Sequence, residues 1–596
     1  MDEMRLRNTK RDVVGRSPIL NIAAIVLNLI GVFFVVKGAH ESTVQYENLM
    51  VIGGSALIVV SLMTMLALKG LFLFSYVSRV LVGGLFIVSG LVKANDPWGF
   101  AFKLEEYFEP NGLSYDFPFF EAFSDYVLPL SILICVAEIA LGVAIIVGGK
   151  IKLASWSLVI MMLFFSWLTW YTHSCNVDQT TAMELGEEFS RQCVTDCGCF
   201  GDALRGSVGR SLTPYESFWK DLVLFYFVLI IFVSQWKIQL NTVKENWIMV
   251  PASLLVVVFF SWVFGWYFPI FFTIIAVLGA FVAGNLNIGK IAKPWKMAIF
   301  VGIVSLLFSM YTTAYLPIKD YRPYAIGNNL VEKMNDSEPQ VADYYMLYRN
   351  VQTGKIDSVL NWEDKYSDTT QYVYEDLYLD VIKEGKEASI SDFVARIDYA
   401  SLTEEERQKP VIDSIIQADY ENYYEDKMVL KSVEGYTDTI AAIDYDTLYY
   451  PDSMYTVVSE YTGLVDPSMP FSMDLTNYLM SEDYIFLMTI REMESANLNS
   501  LDSFKEVLNG ARENGIPFYV LSPATTAAIA EFKAEHDFDA TFLGFDGTEI
   551  KIIVRSNPGL VLLKKGTVLD KWPSRSVEDF EDIFEAYINL PASNEE

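Results

Sequence analysis

Long apolar runs broken by short polar joints fill the first half of the chain. From about Leu316 the pattern changes to short β-rich runs among acidic residues. Each apolar run is roughly 17–25 residues long, the length a helix needs to cross the hydrocarbon core. Nine spans are predicted, at about 18–36, 50–68, 71–93, 125–148, 151–172, 218–236, 248–266, 267–284 and 297–315. The Trp266-Tyr267-Phe268-Pro269 corner between the seventh and eighth spans can also be read as a kink within one longer span. The first span follows Arg5, Arg7, Lys10, Arg11 and Arg16 and has no small-residue cleavage site, so it is expected to remain as an anchor. No lipidation motif replaces it.

Basic residues assign the two sides of the membrane. The N-terminal tail is basic, and Lys69, Lys150, Lys152, Lys237, Lys244, Lys290, Lys293 and Lys296 follow the even-numbered spans. These loops and the tail are therefore expected in the cytoplasm. The loop at about 173–217 and the acidic C-terminal half then lie outside it, in the periplasm if the membrane is a Gram-negative inner membrane. Residues 318–596 carry 23 Lys+Arg against 53 Asp+Glu, so this half holds nearly all of the net charge of −31. Such an excess repels phosphates and argues against nucleic acid as a partner. A solvated soluble domain explains it more simply than an acidic docking face.

Four of the five cysteines, Cys175, Cys193, Cys197 and Cys199, fall in the outer loop between the fifth and sixth spans. Disulfides can form on that side. A Cys197-Gly198-Cys199 ring would be small and strained, hence easily reduced, which favours a redox pair with Cys193 and Cys175 as shuttle thiols. Asp196 and Asp202 flank the pair and would raise its thiol pKa, with only Arg191 and Arg205 to offset this. Two alternatives stay open. The four cysteines can form two structural disulfides, Cys175 to Cys193 with Cys197 to Cys199 or crossed, whose pairing sequence cannot choose. They also number enough for a zinc site, although the one-residue spacing is a poor match and no metal is expected. His173 is a candidate base or ligand, more simply a hydrogen-bonding interfacial residue. Cys135 reads as a small buried apolar residue.

Glu138 is an intramembrane carboxylate one turn from Cys135 on the same helix face. Buried charge of this kind is costly unless paired or protonated, which makes it a functional candidate. Its plain alternative is a structural hydrogen bond to Arg79, Ser89 or another span. Lys93 and Asp96 are expected at the outer interface, where a lysine stem can snorkel to water.

The run Arg79-Val-Leu-Val-Gly-Gly-Leu-Phe-Ile-Val-Ser-Gly-Leu-Val-Lys93-Ala-Asn-Asp-Pro97, the later Ala137-Glu-Ile-Ala-Leu-Gly142, and Cys197-Gly-Cys-Phe-Gly-Asp-Ala-Leu204 before Ser211-Leu-Thr-Pro-Tyr-Glu-Ser-Phe-Trp-Lys-Asp221 together resemble the DoxX/MauE group. These are four-span membrane proteins associated with quinone-linked or disulfide-forming chemistry, and the likeness covers about 71–238. With Leu316-Pro-Ile-Lys-Asp-Tyr-Arg-Pro-Tyr-Ala-Ile-Gly-Asn-Asn-Leu330 and Arg555-Ser-Asn-Pro-Gly-Leu-Val-Leu-Leu-Lys-Lys-Gly566, the chain looks like the long Bacteroidota version with a periplasmic extension. The resemblance implies a bilayer protein with a possible quinone cofactor, for which Glu138, Arg79 and Lys93 are the candidate contacts. It also implies a membrane or periplasmic protein partner.

Beyond the spans, residues 317–470 read as a β-rich acidic region with a helical insertion at about 402–430. Residues 471–596 alternate strand and helix in a thioredoxin-like order, with strands at 484–489, 517–521, 551–555 and 561–563 and helices at 500–513, 523–534 and 576–588. Ser556-Asn557-Pro558 stands where thioredoxins place a cis-proline. Where a C-x-x-C would follow the first strand, the chain reads Ile490-Arg491-Glu492-Met493-Glu494-Ser495, and no cysteine follows Cys199. The expected organisation is a tail with two added spans (1–70), a DoxX-like core (71–238), three further spans (239–316) and the two soluble regions. Two functions follow: a membrane redox protein passing electrons between the Cys197/Cys199 pair and a quinone or thiol partner, or a non-catalytic scaffold of an envelope complex for secretion or lipoprotein handling. A transporter is a weaker third, and whether the chain is an enzyme stays open.

Overall fold

A computed structural model describes residues 17–589 except 41–43, 187, 197, 199, 288–289, 361–363, 384, 387, 391–392, 400–401, 403–406, 409–411, 413–423, 434, 442–449, 452 and 465–471. The chain forms two compact units, up to Arg322 and from Pro323.

In the first unit, nine helices among the described residues are long and apolar enough to cross a membrane. They are α1 (Pro18–His40), α2 (Val44–Ala67), α3 (Leu71–Asn95), α5 (Val127–Val147), α6 (Ile151–Leu185), α7 (Pro214–Ser234), α8 (Val243–Val263), α9 (Phe268–Asn285) and α10 (Lys293–Ala314), with the shorter α4 (Pro97–Phe108) after α3. A turn at Phe264-Gly265 followed by Trp266-Tyr267 separates α8 from α9, so the corner joins two helices and does not kink one. Local chemistry sets the ends. Asp96 caps α4 by accepting a hydrogen bond from the Gly99 N–H, with Pro97 at the first helical position. Thr213 with Glu216 and Thr242 with Glu245 form capping boxes on α7 and α8. Gly148, in the left-handed region at φ 72°, ends α5.

Helix α4 and a 3-10 turn at Pro118–Tyr126 occupy the segment between α3 and α5. One expectation changes. The loop predicted to begin at 173 begins later, because α6 runs 35 residues to Leu185. At 1.5 Å per residue that helix is about 20 Å longer than the hydrocarbon core is thick, so it carries Cys175 on a projecting end.

Apolar helices in lipid gain little from hydrophobic burial against each other and associate through close packing of small residues. The α3–α5 seam is built this way. A Cβ on Gly83 would lie 3.0 Å from the Gly142 carbonyl, and one on Gly90 would lie 2.7 Å from Ile139 Cγ1 and 3.0 Å from Glu138 Cβ. The α1–α2 pair repeats the device with Gly31 against Gly54. Asn28 donates to Ser61 and accepts from the Tyr226 hydroxyl, tying this pair to α7.

The second unit centres on a seven-stranded sheet. Its strands are β4 (Arg396–Asp398), β8 (Ser472–Asp474), β9 (Ile485–Thr489), β10 (Phe518–Ser522), β11 (Thr541–Gly544), β12 (Gly559–Lys564) and β13 (Thr567–Pro573), in the order β13-β12-β9-β10-β11-β4-β8. The β9-β10-β11 core is parallel and the remaining pairs are antiparallel. All five residues of β9 are buried, as a strand covered on both faces requires. Helix α11 (Leu501–Glu513) buries Phe504, Val507, Leu508 and Ala511, the spacing of a single helical stripe. Helix α12 (Thr526–His536) links β10 to β11. The strand predicted at 551–555 is instead α13 (Gly547–Ile553), and the sheet gains β11 and β13, which were not predicted. Asp546 explains the first change, since its side chain caps that helix at the Thr548 and Glu549 N–H groups. The predicted final helix at 576–588 is present from Phe580, as α14 (Phe580–Ile583) continued by a π turn.

The Asn557–Pro558 bond is cis. The Asn557 side chain accepts from the Arg491 N–H at 3.0 Å and donates to the Glu492 carbonyl at 2.8 Å. The region before 471 supplies β4 to this sheet and two three-stranded sheets, β2-β1-β3 and β6-β5-β7. Their strands are β1 (Val341–Asn350), β2 (Ile356–Val359), β3 (Tyr372–Lys383), β5 (Tyr424–Ser432), β6 (Thr437–Ala441) and β7 (Tyr455–Leu464). Most of the predicted helical insertion at 402–430 lies outside the described residues, and its end is the strand β5.

Candidate functional site

Helix α3 carries two buried cations, Arg79 and Lys93, about 21 Å apart along the axis at 1.5 Å per residue. They meet different partners. Arg79 donates from Nε to the Ile145 carbonyl at 2.9 Å, and from Nη2 to the Ile146 carbonyl at 2.9 Å and Asn241 Oδ1 at 2.6 Å. The carbonyls belong to the last turn of α5, where a cation is favoured. The structure therefore does not bring Arg79 to Glu138.

Glu138 pairs with Lys93 instead, Oε1 to Nζ at 2.5 Å, with side chains only 4% and 5% exposed. Lys93 does not snorkel to water. Its ammonium also donates to Ser89 Oγ at 3.2 Å and lies over the rings of Phe100 and Phe165 at 5.3 and 5.5 Å. Glu138 Oε2 is buried and has no hydrogen-bond partner among the described residues. Cys135, one turn back on α5, is fully buried.

The pair faces a small cavity of about 50 Å³. Leu85, Phe86, Ser89 and Lys93 of α3 line it, with Phe100, Leu104 and Tyr107 of α4, Glu138 of α5, Met162, Phe165, Leu168 and Thr169 of α6, Lys220, Asp221 and Leu224 of α7, and Phe200. Its walls are mainly aromatic and aliphatic, the usual lining of a small-molecule site with a few polar groups to orient the ligand. Lys220 and Asp221 form a second ion pair at 3.1 Å, with Asp221 buried and accepting from Thr169 Oγ1 at 3.4 Å. Lys220 stands over Phe200 at 5.1 Å. Sequence reasoning passed over this pair. The signal was available, because Asp221 falls inside the predicted sixth span just as Glu138 falls inside the fourth.

Phe200 belongs to the cysteine segment. There, Cys175, about ten residues before the end of α6, and Cys193 lie at bonding distance, S–S 1.99 Å, which joins the loop back onto that helix. Cys197 and Cys199 are outside the described residues. Gly198, between them in sequence, has φ +60° and donates its N–H to Asp196 Oδ1 at 3.1 Å. It lies against α4, where a Cβ would be 3.0 Å from Lys103 Cγ and 4.0 Å from Phe100 Cδ2.

The charges around this segment are not the expected ones. Arg191 is engaged by Asp178 at 2.8 Å and Asp116 at 3.2 Å. Lys103 takes the place assigned to it, 3.6 Å from Asp196 and 2.8 Å from Glu106. Burial pulls the Lys103 ammonium down, but Asp196, Glu106 and Asp202 outweigh that and hold its pKa above the ordinary value. Arg322 is buried and paired with Asp320 at 2.7 Å. Burial opposes its charge too, and the fields of Asp320, Asp96 and Asp202 more than restore it. So Asp196 and Asp202 are each answered by a cation distant in sequence. His173 packs among rings, 5.1 Å from Tyr215 and 6.0 Å from Trp170. Among the described residues no group of three or more His, Cys, Asp or Glu could hold a metal ion.

Residues 71–180 match the family model of methylamine utilisation protein MauE. The match runs from α3 through most of α6 and includes Arg79, Lys93, Glu138 and Cys175. This membrane segment is thus MauE-like, as its motifs suggested. The match stops before Cys193 and before α7, so it is shorter than the expected 71–238. No curated protein and no solved structure matches the chain.

Proposed function

We propose that the chain is an inner-membrane redox protein of the MauE/DoxX type that exchanges electrons between the Cys197/Cys199 pair and a quinone in the bilayer or a thiol partner. One observation carries this reading: Phe200, next to Cys199 in sequence, and the buried Lys93–Glu138 pair line one cavity. On closing a disulfide, the two thiols release two electrons and two protons. A quinone held there would supply the acceptor for both. Lys93 and Glu138 fit such a group, because Glu138 Oε2 is a buried acceptor without a donor inside an aromatic cavity. Arg79 does not fit, since its donors are spent on helix carbonyls. Lys103 and Arg322 offset the acidic neighbours that would otherwise hold the thiols protonated. The N-terminus is cytoplasmic and the soluble unit periplasmic, as the basic loops suggest.

Within the soluble unit, β9 to β13 with α11 to α14 form a thioredoxin-like domain used for binding. It has no thiol, and the loop that would carry one is tied down by the Asn557 side chain at Arg491 and Glu492. That tie also favours the second reading, a scaffold subunit of an envelope complex. Thiol alkylation followed by mass spectrometry across a redox titration separates the two. Cys197 and Cys199 are expected to titrate together at a moderate potential while Cys175 and Cys193 stay oxidised. Four cysteines that resist mild reductant would support the scaffold.

A further inference from the structure

We propose that the groove between α6 and α7 binds an anionic phospholipid, its phosphate held by Lys150 and Lys152 at the end of the bundle opposite the cysteine segment. Nothing in this site depends on electron exchange. The joints at that end (66–72, 148–153, 235–247 and 285–297) hold Lys69, Lys150, Lys152, Lys237, Lys244, Lys290, Lys293 and Lys296 against one carboxylate, Glu245. Glu245 is occupied, accepting from the Tyr76 hydroxyl at 2.7 Å and capping α8. None of the eight lysines forms an ion pair among the described residues, whereas Lys93, Lys103, Lys220 and Arg210 toward the other end are each paired with a carboxylate. Charge of one sign repels itself, so a surface left this way is stabilised by an anion from outside the chain.

Two of the eight are placed by tryptophans. Lys152 Nζ lies 4.0 Å over the Trp236 ring, and Lys150 Nζ lies 5.5 Å over the Trp295 ring. Both rings are exposed, Trp236 at 71% and Trp295 at 42%. Exposed indoles settle at headgroup level in a bilayer, so these ammonium groups stand at phosphate height. A ring covers one face of an ammonium and leaves N–H donors for phosphate oxygens. Trp156 and Ile160 follow Lys152 on α6, and Val233 and Leu229 precede Trp236 on α7, all four exposed. Spacings of three to four residues keep each set on one helix face. Trp156 meets Phe232 of α7 edge-on at 4.7 Å, which joins the two sets into one apolar groove. Cations above such a groove match a phospholipid, with its phosphate over its acyl chains. A soluble phosphate or a nucleic acid would use the lysines and leave the groove bare.

The test is native mass spectrometry of the full chain released from detergent, titrated with dioleoyl-phosphatidylglycerol and separately with dioleoyl-phosphatidylcholine. Phosphatidylglycerol should bind about ten-fold more tightly, the order expected when two ammonium groups meet one anion. Lys150→Gln/Lys152→Gln should reduce that preference to within two-fold, and Lys150→Arg/Lys152→Arg should keep it. Lys237→Gln/Lys244→Gln should leave it unchanged, and the size-exclusion profile reports whether each variant folds. Equal binding of the two lipids by the parent overturns the assignment. An equal loss in the Lys237→Gln/Lys244→Gln variant also overturns it, because bulk surface charge then accounts for the preference. So does inorganic phosphate displacing the lipid as effectively as soluble dihexanoyl-phosphatidylglycerol, which points to a free anion.

Discussion

The two ends of α3 bury the same kind of charge for different purposes. At one end Arg79 meets three acceptors and spends its guanidinium on finishing another helix. At the other, Lys93 meets a carboxylate that keeps one oxygen bare and looks into a cavity. A satisfied buried cation acts as a structural tie. A buried pair with spare hydrogen-bonding capacity beside open space has room for a ligand. Burial alone does not separate the two cases; the tally of partners does.

The largest effect should come from splitting the Lys93–Glu138 pair. Glu138→Leu leaves an unpaired ammonium in an apolar surround and should cost about 3–5 kcal/mol in reversible unfolding of the reconstituted chain. Lys93→Met/Glu138→Leu should recover most of that, because two well-packed neutral groups replace two desolvated charges. A single variant as stable as the parent would mean that the pair is wet and the contrast with Arg79 unfounded. Arg79→Met strips donors from two helix carbonyls and Asn241 and should cost about 2–3 kcal/mol, with ubiquinone-1 affinity held within two-fold. Loss of binding in this variant would merge the two ends into one site.

The glycines of the α3–α5 seam test the same division more gently. Gly83→Ala crowds Ile146 and the Gly142 carbonyl near Arg79, while Gly90→Ala crowds Ile139 and the Cβ of Glu138. Each should cost about 1–3 kcal/mol by overpacking, but only Gly90→Ala should weaken quinone binding.

The smallest effect belongs to an ion pair in the soluble unit. Asp336 is held at a pKa of about 2, because hydrogen bonds from Lys386 and Ser389 outweigh the upward push of partial burial. A lowered folded-state pKa gives stability that is present above the unfolded value of 3.8 and lost as pH falls through about 2. Asp336→Asn should remove this acid-sensitive limb in hydrogen exchange of β1 and β3, at a cost below about 1 kcal/mol at neutral pH. An effect as large as that at Glu138 would show that solvent exposure does not set the scale.

The spans were legible because a bilayer imposes length and apolarity on any helix that crosses it, and those are properties of a local run. Strands β9 and β10 and helix α11 were legible for the same reason, since each carries its own periodicity. The strand expected at 551–555 rested on the β-branched Ile552-Ile553-Val554 run, whereas the Asp546 cap six residues before it decides for helix. The length of α6 was hidden because its last turns are polar, and polar residues before a cysteine loop look like more loop. Glu138 announced itself as a charge in an apolar run, but its partner did not. Lys93 stands 45 residues away, and Arg79 and Ser89 were equally good candidates until the α3–α5 register was known.

The sequence by itself determined the membrane architecture, the clustering of four cysteines, the missing thiol in the soluble unit and the presence of an expensive carboxylate in the bilayer. All of these follow from composition within short windows. Only the tertiary structure decided which cation answers which anion, that Lys103 and Arg322 neutralise the flanks of the cysteine segment, and that Lys220 and Asp221 share a cavity with Lys93 and Glu138. Pairings of this kind depend on helix register and rotation, which are set by where glycines let backbones meet, and no local stretch of sequence contains that information.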